Sequence, residues 1–177
     1  MVSISRGGKT LTLLLAALCG GLTLLWPNWR AELRAQSAYF LSVPVDIKPQ
    51  ACPNRINVNG NGVLPVAILG AANVDVNQID PASVLLEGVS PVKWAVEDVA
   101  TPFAPFLGKE NALDCTTLGP DGRADLVLKF DVQQIAAALG TVQDGEVVVL
   151  SLIGNLKDEF GGAFIEGEDV AVIMKKK

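Results

Sequence analysis

The sequence predicts an all-β domain folded as a two-sheet β-sandwich, immunoglobulin-like or jelly-roll-like, with one short helix; a β-barrel is the alternative. Two observations carry the prediction. From Ser42 onward, short apolar runs alternate with polar residues at the period of two that a half-buried strand requires. Gly, Pro, Asn and Asp separate these runs at close intervals, as turns between strands do. The helix rests on a single stretch, "DVQQIAAALG", where the apolar spacing changes to a helical period.

Residues 1–37 are of another kind. Arg6 and Lys9 precede a charge-free run from Thr10 to Asn28 containing "LTLLLAALCGGLTLLW". A basic start followed by an apolar stretch is the pattern of a signal peptide. The run falls short of the roughly 20 apolar residues of a comfortable membrane span, so a cleaved signal is favoured over an N-terminal membrane anchor. Ala35 and Ser37 suit cleavage before Ala38. Cys19 follows Leu18, where a lipid-attachment site wants a small residue. Residues 38–177 then form a single β-sandwich domain.

Within that domain "SVPVDIKP" sets Val43, Val45 and Ile47 on one face of a strand and Pro44, Asp46 and Lys48 on the other, taken as wet. "RINVNGNGVLPVAILG" reads as a hairpin with an Asn-Gly turn around Gly60 to Gly62, and Pro65 places its second strand at an edge or bulge. A turn at Asp80-Pro81 leads to a strand near Ser83 to Glu87, and "PVKWAVEDV" alternates Val92, Trp94 and Val96 with charged or small residues. Ala100 to Leu118, rich in Pro, Phe and small residues, reads as a long surface loop. "RADLVLKFD" returns to a strand with Leu126, Leu128 and Phe130 on one face. Asp131 can then cap the helix, Gly140 can end it, and Val132, Ile135, Ala136 and Leu139 share its core face. "GEVVVLSLIGNL" is apolar enough for a central strand, and "EDVAVIMKK" closes the domain.

Charge and residue types narrow the chemistry. Removing residues 1–37 changes the formal charge from −5 to −8, ten basic against eighteen acidic residues, which disfavours nucleic acid and anionic membrane surfaces. Any membrane contact is then left to the N-terminal segment. The chain has no histidine. Ser-His-Asp and Cys-His nucleophile systems and His-ligated metal sites are therefore excluded. Cys52 and Cys115 remain as an even pair in an exported chain, most simply a disulfide. Closing a loop of about 60 residues stabilises a fold by roughly 4 kcal/mol.

The stretch "DCTTLGPDGRADLVLKF" raises a metal question. A calcium loop wants oxygen ligands at positions 1, 3, 5 and 9 with Gly at 6. With Gly122 on that glycine, Asp121 and Asp125 stand at 5 and 9, but Thr117 and Gly119 occupy 1 and 3. Read locally, Gly119-Pro120-Asp121-Gly122 is a type I turn before it is an ion site.

From Val45 to Lys176 the chain carries "DIKP", "GVLPVAILG", "EDV", "GPDGRADL" and "IEGEDV", and on these it resembles a family of secreted bacterial β-rich accessory modules. The resemblance implies an extracytoplasmic accessory domain and not an enzyme. Many relatives run Glu-Asp-Val directly into Asn-Gly-Asp-Gly-x-x-Asp-Leu, whereas here Ala100 to Leu118 separates Glu97-Asp98-Val99 from the rest. The comparison implies that Asp98 is a displaced first ligand that approaches Asp121 and Asp125, with Asp114 a fourth carboxylate and Cys115, bonded to Cys52, pinning the insertion. Calcium is the cofactor that such a set would hold.

Three functions follow. The first is a non-catalytic binding or assembly module for a protein or a cell-surface carbohydrate, secreted or periplasmic, with Phe103 and Phe106 as contacts unless they plug the sandwich end. The second is a structural domain stabilised by an ion. The third is a carboxylate-dependent, glycosidase-like hydrolase; Glu97 with Asp98 and Glu168 with Asp169 are the available pairs, but adjacent strand residues point to opposite faces.

Overall fold

A computed structural model of the chain describes residues 40–176. The export segment assigned to residues 1–37 lies outside them. Among the described residues no helix is long and apolar enough to cross a membrane.

Nine strands among these residues form two sheets. The first sheet runs β1 (Phe40–Ser42), β9 (Phe164–Met174), β8 (Val147–Asn155), β5 (Leu85–Leu86), with β3 (Arg55–Asn57) also on β9. The second runs β2 (Val45–Ile47), β4 (Val63–Ile68), β7 (Asp125–Asp131), β6 (Lys93–Glu97). They pack as a sandwich, and no closed barrel forms. Ile47, Leu64, Val66, Ile68, Leu126, Leu128 and Phe130 meet Leu86, Leu150, Leu152 and Ile165 in one buried core. The helix α1 (Val132–Leu139) starts where the Asp131 carboxylate accepts the amides of Gln133 and Gln134, each at 2.9 Å, and ends at Gly140 with φ 69°. Ile135 is its fully buried residue.

Two local expectations need correction and a third holds. The segment "RINVNGNGVLPV" is not a hairpin: β3 pairs in parallel with β9, whereas β4 pairs with β2 and β7 in the other sheet, so the Asn-Gly turn carries the chain across the sandwich. Pro65 lies in an interior strand. Its carbonyl faces Lys48, one residue beyond the end of β2, so the missing N–H faces no ladder position. Strand β8 is central as expected, between β9 and β5, and though apolar on both faces it is buried on one, with Val147, Val149 and Ile153 exposed.

The longest strand, β9, organises the crossing between the sheets. Its ends pair with β1 and β3, and along the gap between them the chain passes from β1 to β2 over Gly167. A Cβ there would stand 2.6 Å from Val45 Cγ2, so glycine is needed for the approach. The free edge of β2 beyond the crossing gains side-chain partners: Ile47 N–H donates to Asp169, and the Val45 carbonyl accepts from Lys109.

Ala100 to Leu118 forms an irregular segment, as expected, and it covers a sheet. Val99 and Ala100 join Ala67, Leu69 and Val127 in a second apolar cluster on the outer face of the β2-β4-β7-β6 sheet. Asp46 pairs in register with Ala67 and shares that face. It is therefore buried, 4% exposed, and not on the wet face assigned to it.

Candidate functional site

The four predicted ligand carboxylates all accept hydrogen bonds from backbone amides. Asp98 Oδ1 and Oδ2 accept from Asp121 N and Gly122 N at 3.1 and 2.9 Å, so Asp98 does meet the Gly-Pro-Asp-Gly turn across the insertion. It binds the turn's amides, however, while the Asp121 carboxylate accepts from Arg123 N. Asp125, buried, accepts from Gly70 at 2.9 Å through Oδ1, and from Val99 and Ala100 at 2.8 and 3.2 Å through Oδ2. Burial pushes its carboxyl up from the usual value, and those three amides pull against it. Asp114 stays within its own turn, taking the amides of Asn111 and Glu110, which hold its carboxyl below the usual range. Among the described residues no three Asp, Glu or Cys side chains converge as a metal-holding group. Asp98, the Asp121 turn and Asp125 are brought together; Asp114 is not.

Cys52 and Cys115 are bonded, Cα to Cα 5.5 Å, closing a sequence separation of 63. The bond fastens the insertion beside β3. Phe103 and Phe106 are half-buried, and Phe103 lines a narrow cavity beneath the insertion, with its ring centroid 5.8 Å from Lys109 Nζ. Phe103 thus packs under the insertion and not at the sandwich end.

That cavity holds the site that sequence reasoning missed. Lys109, from the insertion, and Asp169, from β9, are 2% and 1% exposed, and Lys109 Nζ lies 2.8 Å from Asp169 Oδ1. Asp169 Oδ2 accepts from Ile47 N at 2.7 Å and Asn54 Nδ2 at 2.9 Å. Glu168, on the opposite face of β9, receives the amides of Gly108 and Lys109 and so holds the backbone of the same lysine. Asp46 borders the cavity with neither carboxylate oxygen in a hydrogen bond. Burial, then the Asp169 charge, raise its pKa from 3.8 to about 7. Burial likewise raises Asp169, against the pull of Lys109. The signal was present in "VDIKP", where Asp46 stands between apolar strand residues and alternation alone assigns it to solvent; in "IEGEDV" Asp169 follows another acid, Glu168, and carries no such mark.

The broad surface cleft lies elsewhere, lined by Gly70 to Val76 with Gln78, Arg123 and Ala124, and Asp75 is its one acid. It offers no carboxylate pair. Comparison with family models, curated proteins and solved structures found no match to this chain.

Proposed function

We propose that this chain is an exported, non-catalytic binding or assembly module of the periplasm or cell surface, and that it takes a protein segment along β6. The observation that carries the reading is an uncovered apolar strip. Trp94 and Val96 stand opposite Leu128 and Leu126 on the core-facing side of the sheet, yet are 46% and 52% exposed where those neighbours are buried. Val92, one alternation earlier, is 58% exposed. The inner face of the sandwich therefore continues past its own cover.

Strand β6 also ends its sheet, so among the described residues no other strand pairs with its outer backbone edge. An apolar strip beside a free edge suits an added strand, whose backbone extends the ladder while alternate side chains fill the uncovered face. Export is supported by the N-terminal pattern and by a disulfide compatible with an oxidising compartment. The contact role moves from Phe103 and Phe106 to Trp94 and Val96.

A photo-crosslinking residue at Trp94, introduced in the cell that exports the protein, is expected to give a discrete adduct. The same residue at Gln133, exposed on α1, is expected to give none. No adduct at Trp94, or equal adducts at both positions, would refute the assignment.

A further inference from the structure

The buried cluster under the insertion has the composition of a reaction centre. An amine, a carboxyl and a second carboxyl lie together in a cavity without room for a water molecule. We propose that the folded chain joins Lys109 to Asp169 by an intramolecular amide bond between Nζ and Cγ, with Asp46 as the proton carrier. This goes beyond the binding reading and does not depend on it.

The nucleophile and the electrophile of the condensation are in contact, and its proton carrier lines the same cavity. The nucleophile is delivered: Lys109 Nζ is 2.8 Å from Asp169 Oδ1, and its backbone is held through Glu168 and the Cys52–Cys115 bond. Holding the two groups together in this way replaces an encounter in solution, the largest entropic obstacle to the reaction. The electrophile is polarised, since Asp169 Oδ2 accepts from Ile47 N and Asn54 Nδ2, two fixed donors for the oxygen that gains charge when Cγ becomes tetrahedral. Asp46 is the proton carrier: neither of its oxygens lies within 4.0 Å of Lys109 Nζ, so a turn of its side chain in the shared cavity must bring it to the ammonium. It sits between Val45, whose carbonyl accepts from Lys109 Nζ at 3.2 Å, and Ile47, whose amide binds Asp169. Both its oxygens are buried and unpartnered, and burial holds its proton affinity near neutrality.

The step balances within the cluster. Asp46 carboxylate takes one proton from the Lys109 ammonium, and the resulting amine attacks Asp169 Cγ, forming the N–C bond. Oδ2 becomes the amide oxygen. The Cγ–Oδ1 bond breaks, and Oδ1 leaves as water with two of the three ammonium protons, one of them returned through Asp46. The third stays on the amide nitrogen, so Asp46 ends as it began and no oxidant or cofactor is used.

Electrostatics favours the product. Two carboxylates facing one ammonium in a dry cavity leave an unpaired buried charge, and even the matched pair bears the desolvation cost of two ions. Once the amide has formed, burial draws one proton from solvent onto the Asp46 carboxylate, and the product then buries no charge. Phe103 and Leu69, lining the cavity, exclude the water that would reverse the reaction.

The test is mass spectrometry of the purified, reduced full chain. The expected mass is that of the residues present, from Ala38 if the signal is removed or from Met1 if it is not, less one water. Trypsin is expected to spare the bond after Lys109 and to release a branched peptide joining residues 94–123 to residues 158–175. Lys109→Met and Asp46→Asn should each restore the full mass, with near-ultraviolet circular dichroism confirming that Asp46→Asn remains folded. A wild-type chain of unaltered mass, giving separate Lys109 and Asp169 peptides, would overturn the proposal and leave a buried ion pair. A folded Asp46→Asn chain that still loses water would overturn the role of Asp46.

Discussion

Asp46 shows how burial alone changes what a residue does. A carboxyl lifted from 3.8 to about 7 holds a proton in the native state that the unfolded chain releases, so native protein binds more protons between those values. Stability from this group is fully present below pH 3.8 and is lost as pH rises through about 7. The charged groups facing it are Asp169, Lys109 and, more weakly, Asp125, but burial is the first cause and persists whether Lys109 and Asp169 are paired or joined. Asp125 is raised as well and adds in the same direction, whereas Asp169 adds only as a free carboxyl and not once it is joined to Lys109. Wild-type protein should therefore have a higher urea midpoint at about pH 5 than at about pH 8, with the Asp46 share no more than about 4 kcal/mol. Asp46→Asn should flatten most of that slope. A midpoint that rises with pH would show the residue ionised in the fold.

At the scale of elements, the insertion between β6 and β7 is held by carboxylates acting on amides. Asp98 and Asp125 receive the amides that a free loop would give to water, and a buried acceptor removed from several donors leaves each of them unsatisfied. Asp125→Ala is expected to lower stability by about 3 kcal/mol or more. Asp114→Ala, which frees only exposed amides, should melt like wild type. Melts of wild type with calcium and with chelator should superimpose, because Asp98 already has donors where a calcium ion would need open oxygens. A clear rise in melting temperature with calcium would mean that the carboxylates turn from the amides to an ion.

The strands, the helix with its Asp131 cap and the disulfide were legible because each depends on local chemistry or on counting. The Asn-Gly turn misled because a turn signal marks a reversal without saying which sheet the next strand joins. Lys109, Asp46 and Asp169 escaped because their partners lie 60 or more residues away and an insertion covers a face that alternation assigns to solvent.

For the whole molecule, the decisive element is the last one. Strand β9 pairs with β1, β3 and β8, lets β2 cross at Gly167, and brings Asp169 to the free edge of β2. Three of the other four strands of its sheet pair with it, and β2 of the second sheet is held to it through Asp169, so the first sheet cannot form until the C-terminal strand is present. Non-local pairings of this kind order the chain late and together. Ending the chain at Gly162 removes β9 and should abolish cooperative unfolding, not merely lower its midpoint. The stump should lose its near-ultraviolet circular dichroism and be digested rapidly by protease. Removing only Lys176 and Lys177, which follow the strand, should leave the transition unchanged. A cooperative melt in the chain ending at Gly162 would show that the β2-β4-β7-β6 sheet folds alone, leaving β9 a late addition to a fold already formed.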